Sequence, residues 1–133
     1  VKRYEEHAVR ASSLRARIAH AVSCTLKECD LGRDEVAARM SEGLGEDVSK
    51  NMLDAYASEA REQSSVPFLR MLALVHVTGD MRLLQMAAEL FEHSVVEDRY
   101  LPWVEVGQLA DKKDNVERAF EAARRNARRG GKS

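Results

Sequence analysis

The chain is poor in residues that punctuate or stiffen a fold. Pro67 and Pro102 are its two prolines, and seven glycines are spread over 133 residues. Runs of β-branched residues are nearly absent, and this excludes a sheet-rich fold while favouring an all-helical one. Aromatics are few: three Phe, three Tyr and one Trp, so Leu, Ala, Val and Met must fill the core that a 44% hydrophobic content supports. Cys24 and Cys29 are the two cysteines. Their spacing points them in different directions on one helix, a poor basis for a disulfide and an incomplete metal site, so they read as small half-buried residues in a reducing compartment. No apolar run reaches the roughly 18 residues that a membrane span needs, and no secretory leader is evident. The expectation is a soluble protein of the cytoplasm of a bacterial host cell, with no membrane partner.

Catalytic chemistry lacks its usual signatures. His7, His20, His76 and His93 are dispersed, and Glu89 with His93 is the single carboxylate–histidine pair on the face of one expected helix. There is no glycine-rich phosphate loop after a strand and no serine in a nucleophile elbow. The sequence therefore reads as no enzyme, with no metal, no cofactor and no evident small-molecule substrate.

Charge is balanced in total and uneven in place. The net charge is −1, yet residues 28–62 hold ten carboxylates against Arg33, Arg39, Lys50 and Arg61. The last ten residues carry Arg124, Arg125, Arg128, Arg129 and Lys132 with no acid. A basic tail of this kind can contact nucleic acid without regard to sequence, whereas an acidic body cannot.

What is present is helical periodicity. Leu14, Ile18, Ala21, Val22 and Leu26 share a face of a helix over about 12–28, preceded by a ragged polar start. The next two helices lie within 33–58. Val36, Ala37 and Met40 face one way on the first, and Gly43-Leu44-Gly45 breaks it. Glu35 reaches back as part of its N-terminal cap. Val48, Met52, Leu53 and Tyr56 form the buried stripe of the second, over 48–58, with Asp47 as its cap. A polar loop at 62–65 leads to a Pro67-started helix reaching Val77, apolar on most sides and expected at the centre of the core. Asp80 caps a further helix with Met81, Leu84, Ala87, Ala88 and Phe91 inward.

Pro102 interrupts residues 94–105, read as a hinge between a body at 1–93 and a C-terminal helix at 106–133, with Tyr100, Leu101 and Trp103 able to fold back. In that last helix Val106, Leu109, Lys113, Val116, Phe120, Ala123 and Ala127 recur at alternating spacings of three and four. This is a heptad stripe fit for self-pairing, with Val106, Leu109, Val116, Phe120 and Ala123 as the dimerisation residues. An amphipathic helix docking on its own body is the competing reading.

Two short helices joined by a turn, the second opening with small and polar residues, make a helix-turn-helix pattern. Ser49 would bond a phosphate, Lys50 would reach a phosphate or a guanine edge, and Asn51 would pair with adenine. A solvated helix start is the plainer account of the same residues.

The pattern Glu35-Val36-Ala37-Ala38-Arg39-Met40, then Val48-Ser49-Lys50-Asn51-Met52-Leu53-Asp54-Ala55-Tyr56, then Pro67, Leu72, Val77-Thr78-Gly79-Asp80 and Leu83-Leu84, resembles the lambda-repressor-like helix-turn-helix fold. Over residues 31–90 the chain is similar to small DNA-binding proteins of Mu-like transposable phages and prophages, whose C-terminal coiled-coil helix residues 106–129 echo. The resemblance implies an all-α helix-turn-helix bundle with a C-terminal helical extension. It also implies a transcriptional regulator acting on double-stranded DNA as a homodimer. Arg33, Arg39, Ser49, Lys50, Asn51, Asp54 and Arg61 would form its DNA-binding face. The alternative is a helical interaction module, an adaptor or anti-repressor, that binds a phage or host protein through its acidic face.

Overall fold

The computed structural model describes residues 1–61 and 64–130; the loop expected at 62–65 lies partly outside them, and Lys132 of the basic tail wholly so. Within the described residues the fold is all-α, with no strand. Seven α-helices run in order: α1 (Glu6–Val9), α2 (Leu14–Glu28), α3 (Arg33–Leu44), α4 (Lys50–Tyr56), α5 (Phe68–Thr78), α6 (Arg82–Glu89) and α7 (Leu101–Gly130). The chain divides into two compact units, Val1–Val95 and Val96–Ser133.

The first unit is built from short helices, each marginal alone and held by its neighbours. Ser13 opens α2 by accepting the Ala16 N–H at 3.1 Å. Ala21, Val22 and Leu26 of α2 meet Val36, Ala37 and Met40 of α3, Leu53 and Tyr56 of α4, Met71, Leu74 and Val75 of α5, and Leu83 and Met86 of α6 in one core. Gly45 and Gly79 close α3 and α5 in the left-handed conformation, at φ 68° and 69°, where a Cβ would be strained. Glu92 adopts the same conformation (φ 59°) after α6, a position where glycine is usual.

Several local expectations need correcting. The N-terminus is not ragged: α1 forms, Val9 enters the core, and Tyr4 packs against it while hydrogen-bonded to Thr25. Gly43 does not break α3, which continues to Leu44 and stops only where Gly45 turns left-handed. Glu35 makes no cap and instead accepts from Arg39 at 2.8 Å, one turn on. The cap of α4 is Ser49, whose hydroxyl oxygen accepts the Met52 N–H at 3.2 Å, rather than Asp47; the helix covers 50–56, not 48–58. Met52 is largely exposed, and Ala55 takes a buried place beside Leu53.

Helix α5 is not sheathed by the core. It buries Met71, Leu74 and Val75 and leaves Phe68, Leu69 and Leu72 exposed. Of the inward face expected for α6, Leu84 packs against the core, but Met81, Ala87 and Phe91 are exposed, and Leu83, Gln85 and Met86 are the buried residues. Beside the apolar Leu83 and Met86 lies Gln85, a polar residue only 1% exposed. Its side-chain amide donates to Glu89 (2.9 Å) and Ser94 (3.3 Å) and its oxygen accepts the Val95 N–H (2.7 Å). Fully satisfied, it ties down the chain that leaves α6, so burial carries no unpaired polar cost. Asp80 does serve the start of α6, accepting the Arg82 N–H at 3.0 Å.

In the second unit the interruption expected at Pro102 is absent. A 3-10 turn at Asp98–Tyr100 runs directly into α7, which begins at Leu101 rather than 106. Pro102 sits in the first turn, where its missing N–H would have had no intrahelical acceptor, so it starts this helix instead of interrupting it. Helix α7 is 30 residues long and buries none of them; Tyr100, Leu101 and Trp103 are all exposed.

Candidate nucleic-acid interface

The α3–α4 pair is organised by small polar residues. Residues 45–49 are the whole link between the helices, because α3 continues past Gly43. Ser41 locks that link. Its hydroxyl accepts the Val48 N–H at 2.8 Å and lies within donating distance of the Ala37 and Val48 carbonyls (2.8 and 3.0 Å). Val48 is thereby pinned into the core, and the next residue, Ser49, is delivered to the cap of α4. No chemical motif marked Ser41; its one signal is a lone hydroxyl in the last turn of a helix, where side-chain bonding to backbone is common.

The sequence-identified residues are partly brought together. Asp54 on α4 accepts from the Arg33 guanidinium at 2.7 Å and from the Lys50 ammonium at 3.1 Å. The first residue of α3 and the first of α4 are thus linked through one carboxylate. The Arg33 hydrogen bond, followed by that of Lys50, holds the Asp54 carboxyl below its ordinary range. Asp54 is therefore a tether for two cations and faces no open groove alone. Asn51 stands exposed beside Lys50, and the Ser49 oxygen is committed to its cap while its hydroxyl proton is left to donate. Arg39 is exposed and paired with Glu35, and Arg61 is exposed on the segment after α4.

Arg70 is drawn the other way. Its guanidinium donates to the Tyr56 hydroxyl at 2.7 Å and pairs with Glu46 at 3.5 Å, bracing α5 against α4 and the link before it. It is a structural cation and not a free phosphate contact. Arg82 behaves likewise at the far side of the unit: it bonds Asp80 and Glu28 and lies over the Tyr4 ring at 4.5 Å. Burial pushes the Tyr4 hydroxyl well above the usual tyrosine range.

Remaining features bear on other chemistry. His20 contacts Glu59 at 2.8 Å, His93 turns to the Phe91 carbonyl, and Glu89 is taken by Gln85 and Arg3. Among the described residues no three His, Cys, Asp or Glu are grouped to hold a metal ion. Burial raises the Cys24 thiol, a direction opposite to that of a reactive nucleophile. A groove of about 200 Å³ between α2, α5 and α6, lined by Leu14, Ile18, Phe68, Met71 and Leu90, escaped the sequence reading because the phase of α6 was misjudged. No helix among the described residues is long and apolar enough to cross a membrane.

On α7, Val106, Leu109, Val116 and Phe120 are exposed, as are Arg124, Arg125, Arg128 and Arg129. Comparison of the chain with protein-family models, with curated proteins and with solved structures finds no match.

Proposed function

We propose that the protein is a DNA-binding regulator of a phage or prophage, reading the major groove with α4 and acting as a homodimer through α7. The observation that carries this reading is the joining of Arg33 and Lys50 through Asp54 beside the exposed Asn51. Two cations sharing one carboxylate leave a net positive charge on this face, with Lys50 the more exposed of the two and suited to a phosphate contact, and an adjacent amide suits bidentate pairing with adenine. As an α-helix about 10–12 Å across with its side chains, α4 has the diameter that a groove about 12 Å wide admits. Arg39 and Arg61 add charge at the margins of that face, and Ser49 adds a donor. The test is fluorescence anisotropy with a sequence selected from random DNA and with unselected DNA, at two salt concentrations. Binding should weaken steeply with salt. Asn51→Ala should cost about 1–3 kcal/mol of preference for the selected sequence while circular dichroism stays unchanged. Unchanged selectivity removes Asn51 from the recognition face.

A second reading is favoured by the exposed carboxylates Asp34, Glu35, Glu42, Glu46 and Asp47 around the same pair of helices. Here the bundle is an interaction module, an adaptor or anti-repressor, whose acidic face binds a basic protein partner. Absence of DNA binding at low salt selects it. A third arrangement, in which the arginine end of α7 supplies all nucleic-acid affinity, is separated by truncation after Ala123, which then abolishes binding altogether.

A further inference from the structure

Helix α7 carries an exposed apolar stripe interrupted by Lys113: Val106 is 53% exposed, Leu109 58%, Val116 68% and Phe120 62%. Its charge is segregated along its length. Residues 101–117 hold Glu105, Asp111, Asp114 and Glu117 against Lys112 and Lys113, whereas residues 118–130 hold five arginines against Glu121. The first part is net acidic and the second strongly basic.

We infer that the occupant of this stripe is α7 of a second copy of the chain, paired antiparallel. This rests on the homodimer reading above and adds the orientation. A parallel pair would set two clusters formed by Arg124, Arg125, Arg128 and Arg129 side by side, within a Debye length of about 8 Å. It would also face Lys113 with its own copy in the seam. The antiparallel pair lays each basic end along the acidic end of the other helix.

Side-chain size gives the same answer without charge. In parallel register every layer meets its own kind, so Phe120 faces Phe120 while Ala123 and Ala127 face alanines and leave space. In antiparallel register the stripe closes in layers that match large to small: Val106 against Ala123 of the partner subunit, and Phe120 against Leu109 of the partner subunit. Lys113 then lies across Val116 of the partner subunit, its stem covering apolar surface and its ammonium directed to Glu117, which it already approaches at 3.9 Å along its own helix. The same register brings Trp103 of one helix near Arg124 of the other, a cation–π pairing at each end. The two Leu101 residues fall about 40 Å apart, against about 10 Å in a parallel pair.

The experiment uses full-length chains carrying Val106→Cys or Ala123→Cys, oxidised separately and as an equimolar mixture. The wild-type chain, treated alike, supplies the background from Cys24 and Cys29. Both substitutions lie on the exposed stripe, so the core of Val1–Val95 is untouched. The expected result is a covalent dimer joined 106-to-123 in the mixture, in several-fold excess over what either chain forms alone. Sedimentation of the wild-type chain should give twice its 14.9 kDa mass. Efficient 106-to-106 or 123-to-123 linkage overturns the antiparallel orientation and leaves the homodimer standing. Sedimentation as a monomer overturns both the pairing and the homodimer part of the proposed function.

Discussion

Helix α4 has seven residues and buries three of them, whereas α7 has thirty and buries none. The contrast runs through the two units. In Val1–Val95 no helix exceeds 15 residues, and each is completed by side chains from elsewhere: Thr25 by Tyr4, Val95 by Gln85, Tyr56 by Arg70. In Val96–Ser133 the helix is sustained by its own sequence, through Ala, Leu, Glu, Lys and Arg at most positions and through pairs such as Lys113–Glu117 and Arg124–Glu121 along the helix. One unit is helical because it is packed. The other is helical before it is packed, and its apolar stripe remains available to a partner.

The strongest way to break this comparison is to empty the packed core. Leu53 is fully buried between α4 and its neighbours. Leu53→Ala should lower the stability of the first unit by about 2–5 kcal/mol, through lost transfer energy and the cavity left behind. In a Tyr100→Phe background urea titration separates the units optically, since the remaining tyrosines, Tyr4 and Tyr56, lie in the first and Trp103 in the second. The tyrosine transition should move to lower urea while the Trp103 transition stays in place. A joint shift of both would show that α7 depends on the first unit and would end the distinction.

A smaller effect comes from the Asp80 network. Burial alone would push the Asp80 carboxyl up, but the Arg82 guanidinium and backbone N–H, with the Thr25 hydroxyl, outweigh it and hold the group below the ordinary carboxylate range. A carboxyl depressed on folding contributes stability that is complete above its unfolded pKa, near 3.9, and is lost as pH falls through the lower folded value. The first unit should therefore lose stability below about pH 4 more steeply than its Asp80→Asn variant, measured by thermal unfolding between pH 2 and 7. The α7 signal should show no matching difference between the two proteins. Equal acid sensitivity in both proteins would place the buffering carboxylate elsewhere.

The same contrast explains what was readable in the sequence. The stripe of α7 was visible in full, from Val106 to Ala127, because a self-sufficient helix writes its whole period into local sequence. In the first unit the helices were located but their faces and ends were less secure. Met81 and Phe91 looked like core residues and are exposed, since both fall outside α6, whose inner face is set by Leu83 and Met86. Tyr4 looked like part of a loose start, because Thr25, which bonds it, and Asp80, which accepts from Thr25, are distant in sequence. At the candidate interface, Lys50, Asn51 and Ser49 were picked out by type and position. The tether by Asp54 and the lock by Ser41 depend on distances that spacing alone does not encode.

The finest discrimination between the units uses two glycines in equal surroundings. Gly107 in α7 and Gly43 in α3 both lie within helices, neither has a positive φ, and a Cβ on either would meet nothing within 4 Å. Alanine at each site should therefore gain helix propensity of up to about 1 kcal/mol without steric cost. Where that energy goes differs. In Gly107→Ala it should remain local, slowing amide hydrogen exchange across the middle of α7 by roughly fivefold and leaving the first unit unchanged. In Gly43→Ala it should be shared, because α3 cannot melt without losing its contacts to α4 and α5, and exchange should slow across those helices together. If slowing in Gly43→Ala stays confined to the last turn of α3, that end frays independently, and the link carrying Val48 and Ser49 is held by the Ser41 hydroxyl and the Arg70–Glu46 pair. Replacing Ser41 with Ala would then loosen α4 and the Lys50–Asn51 face with it.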